Sequence, residues 1–275
     1  VTHLAGTIGP RAFDDADATR RSIEHIESQL KAAGLTDVRR EPYNIGNVVA
    51  TNLYVDIKGT GDEIVVVGAH YDTVPMTPGA DDNASGVAGT LELARRLKDA
   101  KPARTIRIAF FACEEPPNFQ AKSMGSLVFA KACKARGDKV VAMLSVEMIG
   151  YYSDAANSQH FPDLLAGRYP TTGNFLAIVG NVKSRQLVER IKEAFAKSTD
   201  LPIEAAALPE IILQIGWSDH WSFWQIGVPA VMLTDTAEFR NANYHARTDT
   251  PDTLDYARMA KAVDGIAGIV KELAE

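Results

Sequence analysis

The sequence predicts an α/β fold. It reads as a single-domain three-layer sandwich, residues 1–275, with a central mixed, largely parallel sheet covered by helices on both faces. Three observations predict it. Strand-like and helix-like segments alternate along most of the chain, the pattern of crossover-connected strands. The inner strand runs are continuously apolar, as strands covered on both faces must be. No internal repeat, low-complexity tract or long linker divides the chain.

The first helix is expected from about Asp17 to Ala33, with Ile23, Ile26 and Leu30 on one face and Gly34 as its stop. Strand-like runs follow at Asp37–Tyr43 and Val48–Ile57, the second rich in β-branched residues. Glu63–Gly68 is a Val-rich strand, and a helix then runs through Val87, Leu91, Ala94 and Leu97. Thr105–Ala112 reads as strand, Ser123–Ala135 as helix and Val140–Met148 as strand. Phe175–Val179 and Gln186–Lys197 repeat the unit, and Ala230–Leu233 is a short strand. Met259, Val263, Ile266 and Val270 place a last helix at helical spacing. The stretch Tyr151–Thr172 carries no clear element and reads either as cover over a site or as a surface excursion.

Composition narrows the function. Hydrophobic residues make up 46% and charged residues 23%, ordinary globular values. A formal charge of −6 argues against a nucleic-acid partner, which calls for a basic face. No apolar run reaches the roughly 18 residues that span a bilayer, and no basic stretch with an apolar core stands at the N-terminus. The two cysteines, Cys113 and Cys133, form no CxxC pair, so any metal must be held by other side chains. Cys113 ends an apolar strand as a small hydrophobe; one disulfide and a catalytic thiol are the other readings.

The chemistry collects after the strands, where α/β sheets place their sites. His70 and Asp72 stand in GAHYDT, Asp81 and Asp82 in PGADDNASG, and Glu114 and Glu115 end IRIAFFACEE. Glu147 ends a strand in AMLSVEMIG, and His245 lies in NYHARTDTPDT. Each has an ordinary reading alone: a core histidine, an N-cap aspartate, a solvated carboxylate pair. Together they put six carboxylates and two imidazoles at one sheet edge, which would repel itself without a cation. Imidazole with carboxylate oxygen is a zinc ligand set, and two ions about 3.5–4 Å apart can share one carboxylate.

These motifs, in this order and over nearly the whole chain, resemble the zinc aminopeptidase family (peptidase family M28) of the bacterial leucyl aminopeptidases, glutamate carboxypeptidase II and the glutaminyl cyclases. HLAGTIGPR, GAHYDTVP, PGADDNASG, FFACEE, SDHWSF and YHARTDTPDTLDY carry the resemblance, PGADDNASG most specifically. It implies the zinc exopeptidase fold and two zinc ions per chain. It implies that His70, Asp81, Glu115, Glu147 and His245 are metal ligands, with Asp81 shared and joined to Asp82 by a cis peptide. Glu114 is implied as general base, Asp72 as the carboxylate orienting His70, and Asp219 as a further supporting carboxylate. Many members with peptidase activity carry aspartate at the position of Glu147.

The implied function is a co-catalytic di-zinc exopeptidase acting on peptides, an aminopeptidase by its size, with His220 or Tyr244 as an oxyanion donor. Trp217, Trp221 and the Tyr151–Thr172 aromatics would set side-chain preference or belong to the core. A single-zinc glutaminyl cyclase and a non-catalytic member of the fold are the alternatives. The resemblance also implies a secreted or periplasmic location.

Overall fold

Two strands at the middle of the chain show how the sheet is built. In β3 (Glu63–His70) Val65, Val67 and Ala69 enter one core while Ile64 and Val66 enter another. In β5 (Lys139–Glu147) Ala142, Leu144 and Val146 join the first core and Met143 the second. Alternation with apolar residues on both faces is what a central strand between two helix layers requires. The computed structural model describes residues 1–165 and 167–275; Ala166, within the long Tyr151–Thr172 stretch, lies outside the described residues.

The other strands are β1 (Arg39–Ile45), β2 (Val48–Ile57), β4 (Thr105–Phe111), β6 (Leu176–Asn181), β7 (Ile203–Leu208) and β8 (Ala230–Thr234). They form one eight-stranded sheet in the order β1-β2-β4-β3-β5-β8-β6-β7. β4, β3, β5 and β8 run parallel, β1 and β2 add an antiparallel hairpin at one side, and β6 pairs antiparallel with β8 while β7 runs parallel to β6. The mixed, largely parallel sheet is as expected.

Helices α1 (Ala16–Ala32), α2 (Gly86–Leu97), α4 (Arg185–Ser198) and α6 (Tyr256–Ala274) supply the larger core through Ile26, Leu93, Phe195 and Ile266. Helices α3 (Gly125–Arg136) and α5 (His220–Trp224) cover the other face through Phe129, Cys133 and Phe223. Asp15 caps α1 by accepting the amides of Asp17 and Ala18, and Asp255 caps α6 through Arg258. Among the described residues no helix is long and apolar enough to cross a membrane.

Two elements differ from expectation. β7 and the five-residue α5 were not anticipated, because IEAAAL lacks a run of β-branched residues and α5 is shorter than any periodicity can reveal. The cysteines are both free and buried, and burial pushes the Cys113 thiol up to about 12 and Cys133 to about 11. Neither disulfide nor nucleophile is formed here.

One charged group crosses the sheet. Arg107 of β4 donates from Nε and Nη2 to both oxygens of Asp56 on β2, at 2.8 and 3.1 Å, and from Nη1 to Asp138 at 2.6 Å. Arg107 and Asp56 are each 5% exposed in their side chains. Removing the cation leaves the buried Asp56 with only Lys58, at 3.0 Å, and Asp138 with only Arg136, at 3.1 Å. Arg107→Met is expected to lower unfolding stability by roughly 3–5 kcal/mol, measured by urea unfolding followed by circular dichroism. A loss under about 1 kcal/mol would show that the triad is not a buried unit.

Candidate metal centre

The parallel strands deliver their ends to one edge. His70 is the last residue of β3, Glu147 the last of β5, and Glu114 and Glu115 lie just past the end of β4. β3 and β5 are neighbours whose onward connections run to opposite sides, the switch point where α/β sheets open a crevice. Backbone strain gathers here too. Cys113 (φ 58°), Met148 (φ 52°) and His245 (φ 56°) are non-glycine residues in left-handed conformations, each costing about 1–3 kcal/mol. Each turns the chain at or beside a residue that faces the centre.

Among the described residues two groups of side chains could hold a metal ion, and they share Asp82. In one, His70 Nε2 lies 3.3 Å from Asp82 Oδ1 and 3.3 Å from Glu147 Oε1. In the other, His245 Nε2 lies 3.1 Å from Asp82 Oδ2 and 3.3 Å from Glu115 Oε2. Zinc bonds of 2.0–2.1 Å in a tetrahedron separate neighbouring donor atoms by roughly 3.3 Å. The donors stand at that spacing. Their electrostatics ask for positive charge as well. Burial would lower both imidazoles, yet the carboxylates around them outweigh it, raising His70 well above its usual value and His245 to about 10. The donor set fits zinc.

Asp81, expected as the shared ligand, belongs to neither group, and the cis peptide joins Asp82 to Asn83 rather than Asp81 to Asp82. Asp81 instead accepts the Gly150 amide at 3.0 Å and the Asn241 side-chain amide at 2.7 Å. Burial and the neighbouring Asp235 carboxylate push its carboxyl well above the ordinary range. Burial would raise Asp82 also, but His245 and His70 hold it below the usual carboxylate range. Two identical adjacent residues gave no signal of which one faced the imidazoles. His70, Glu115, Glu147 and His245 all stand in the groups where they were expected.

Asp72 acts on more than one neighbour. Its Oδ1 is 3.5 Å from His70 Nδ1, and its two oxygens accept the amides of Glu114 and Glu115 at 3.0 and 3.1 Å. It thus aligns an imidazole and two carboxylate-bearing residues together. Glu114 lies 3.9 Å from His70 Nε2 and takes part in neither group, and burial pushes its carboxyl well up. Asp219 is fully buried with neither oxygen hydrogen-bonded, and burial raises it to about 7. His220 is turned away from an oxyanion role at Nε2, which meets the Ile215 carbonyl at 2.6 Å, while burial lowers its pKa to about 4. Tyr244 stacks on His245 with ring centroids 3.8 Å apart, and burial with the charges of Asp82, Glu115 and Glu114 keeps its phenol protonated.

PGADDNASG is legible as mechanics. Gly79 has φ 63°, and an added Cβ would collide with the Asp82 carbonyl. Asn83 donates from Nδ2 to Val146 O at 3.0 Å and accepts the amides of Gly86 and Met148, tying this turn to β5. Gly86 lets α2 start against the Val146 carbonyl, where a side chain has no room. Two further residues were missed. Asp249 accepts the amides of Asp81 at 2.9 Å and Asp82 at 3.1 Å, holding the shared aspartate from behind. Arg11, 1% exposed, donates to the carbonyls of Gly9, Tyr71, Pro78 and Gly79 and so clamps the two loops that carry Asp72 and Asp82. HLAGTIGPR and the TDTPDT run contained them, but a lone arginine and a turn aspartate carry no sign of burial.

Asp249→Asn replaces one of those acceptors with an NH₂ group facing a backbone amide. Metal affinity is expected to fall about 10–100-fold, read by competition with a chromogenic chelator, with the far-ultraviolet spectrum unchanged. Unaltered affinity would show that the backbone of Asp82 holds without Asp249.

Comparison with known proteins places this geometry. The Escherichia coli (strain K12) protein YfbL is 38% identical over 275 residues, covering 97% of this chain and 84% of that protein. Leucine aminopeptidase 1 of Arthroderma otae is 30% identical, covering 94% of this chain and 69% of the fungal protein. Among solved structures, a zinc aminopeptidase from Bacillus subtilis superposes with a TM-score of 0.80 at 17% identity, covering 100% of this chain and 93% of that one. The glutaminyl cyclase of Porphyromonas gingivalis gives 0.74 at 18%, covering 98% and 94%. Those two likenesses are of fold. The model of peptidase family M28 matches residues 52–270, from β2 to the last helix, and takes in all the residues of both metal-holding groups: the chain belongs to peptidase family M28.

Proposed function

We propose that this chain is a co-catalytic di-zinc aminopeptidase that hydrolyses the N-terminal amide bond of peptides. The observation that carries the reading is Asp82, which offers one oxygen to a group with His70 and Glu147 and the other to a group with His245 and Glu115. A carboxylate so placed fits a bridge between two ions. The aminopeptidase names of the fungal relatives and the M28 membership support the same reaction class.

Zinc bound there would polarise the scissile carbonyl and ease ionisation of the attacking water near neutral pH. The protein's own residues do the rest. Glu114, buried beside His70 and outside both groups, takes the proton from the attacking water and hands it to the leaving amine. Burial, which raises its carboxyl's affinity for a proton, suits a group that must take one up. Asp72 fixes the direction of Glu114 through the backbone amide. Tyr244, kept protonated, is a donor for the carbonyl oxygen as charge develops on it. Ser218 donates to Glu147 Oε2 at 2.6 Å and Asn83 to the same oxygen at 3.3 Å, so the longer glutamate is steered with Oε1 toward His70.

Two measurements test this. Dialysed protein is expected to take up two zinc equivalents, and aminoacyl p-nitroanilide hydrolysis should vanish on chelation and return with zinc. A single equivalent with cyclisation of N-terminal glutamine would favour a glutaminyl cyclase instead. Glu114→Gln is expected to lower kcat about 10²–10⁴-fold with zinc still bound. A variant keeping a third or more of wild-type kcat would remove Glu114 from this role.

A further inference from the structure

We propose that the pocket beside this centre selects N-terminal residues with a long basic side chain, lysine or arginine, and that Glu204 recognises the cation. The inference rests on the aminopeptidase reading above and adds the substrate class. A groove of about 900 Å³, open mouth included, starts at Glu147 and Tyr244 and ends at the far edge of the sheet, where β7 supplies Glu204. Its walls are apolar, with Phe161, Leu165 and Tyr169 from the long stretch after β5 facing Ile212, Ile215 and Trp217.

The strand register lays out the floor. Glu147 on β5 is paired with Thr234 on β8, Thr234 with Ala177 on β6, and Ala177 with Glu204 on β7. Paired residues project from the same face of a sheet, so these four side chains form one row. Neighbouring strands are about 4.8 Å apart, which puts roughly 14 Å of sheet between the two glutamates. The two middle positions, threonine and alanine, are small and leave the floor low. A side chain entering beside Glu147 lies over Thr234 and Ala177 and meets the Glu204 carboxylate reaching back. Bond lengths near 1.5 Å give an extended lysine or arginine a span of about 6–7 Å, enough to bring its charge to that carboxylate.

The chemistry of the row favours a basic residue over a purely apolar one. The stem of lysine or arginine packs on apolar walls while its head seeks an anion. Among the described residues Glu204 makes no salt bridge that would already satisfy it. Tyr169, whose hydroxyl is raised by burial and by the Glu204 charge, adds an aromatic face beside the carboxylate, and its ring stands 5.6 Å from Phe161. Glu238, on the wall nearer His245, adds negative potential along the path and disfavours acidic side chains. A leucine would fill only the near half of the groove and leave Glu204 unused.

The test is kcat/KM for arginyl, lysyl, leucyl, alanyl and glutamyl p-nitroanilides with the zinc-loaded full chain at fixed ionic strength. Wild-type protein is expected to prefer arginine and lysine to leucine by about tenfold or more. Glu204→Gln should lower the arginine-to-leucine ratio at least tenfold, and Glu204→Lys should turn preference toward glutamate. Ala177→Leu, which raises the floor midway, should lower arginine and lysine relative to alanine by a similar factor. Preference of the wild type for leucine overturns the basic-residue selectivity, and an arginine-to-leucine ratio in Glu204→Gln within twofold of wild type overturns the role of Glu204; both leave the aminopeptidase reading standing. Failure to hydrolyse any of the five substrates, with zinc bound, removes the aminopeptidase reading and this one with it.

Discussion

Buried negative charge at the C-terminal edge of the parallel strands is the constraint around which the structure is arranged. Asp72, Asp81, Asp82, Glu114, Glu115, Glu147, Asp219, Asp235 and Asp249 are each less than a tenth exposed. Only two guanidinium groups, Arg11 and Arg240, are buried among them. Carboxylates at this density remain folded only if some are protonated, some are tied to backbone amides and some meet a cation. All three solutions are present. Asp81 and Asp235 are pushed up by burial, Asp235 to about 6, while Asp72 and Asp249 each accept two amides. Burial raises Asp219 to about 7 as well. The four carboxylates left facing the imidazoles or one another are Asp82, Glu114, Glu115 and Glu147, and metal held there would supply the missing charge.

The supporting residues divide by which strand end they stabilise. Arg11 and Asp249 hold the loops after β3, Asp72 holds the turn after β4, and Asn83 and Ser218 hold the end of β5. Each ties together segments far apart in the chain, as Asp249 does with residues 167 and 168 positions away. The site is therefore tied to the sheet that carries it, and two of the left-handed residues beside it, Cys113 and Met148, are fully buried.

Much of this was legible in the sequence. The second strand was bounded as observed, at Val48–Ile57, because its β-branched run ends in turn residues on both sides. The buried strands β3, β4 and β5 were plain from continuous apolar runs, and a carboxylate closing such a run, as Glu147 does, marked a site. What escaped had no such contrast. β7 is half-buried throughout and alanine-rich, so neither alternation nor bulk announced it. Asp81 and Asp82 are chemically alike and differ only in the direction the backbone turns them. Arg11 and Asp249 act through backbone carbonyls and amides, partners that every sequence position has and that no motif encodes.

The row of paired residues that runs from Glu147 across β8 and β6 to β7 also gives the pocket a unit of length. Because it crosses strands instead of following one, its depth is graduated in steps of about 4.8 Å, and each step is closed or opened by a single position. A bulky residue at 234 would end the pocket after one strand, and at 177 after two. If the pocket receives a side chain as proposed, exchanging one residue on an inner strand would change the length it takes, while the metal-holding edge stays as it is.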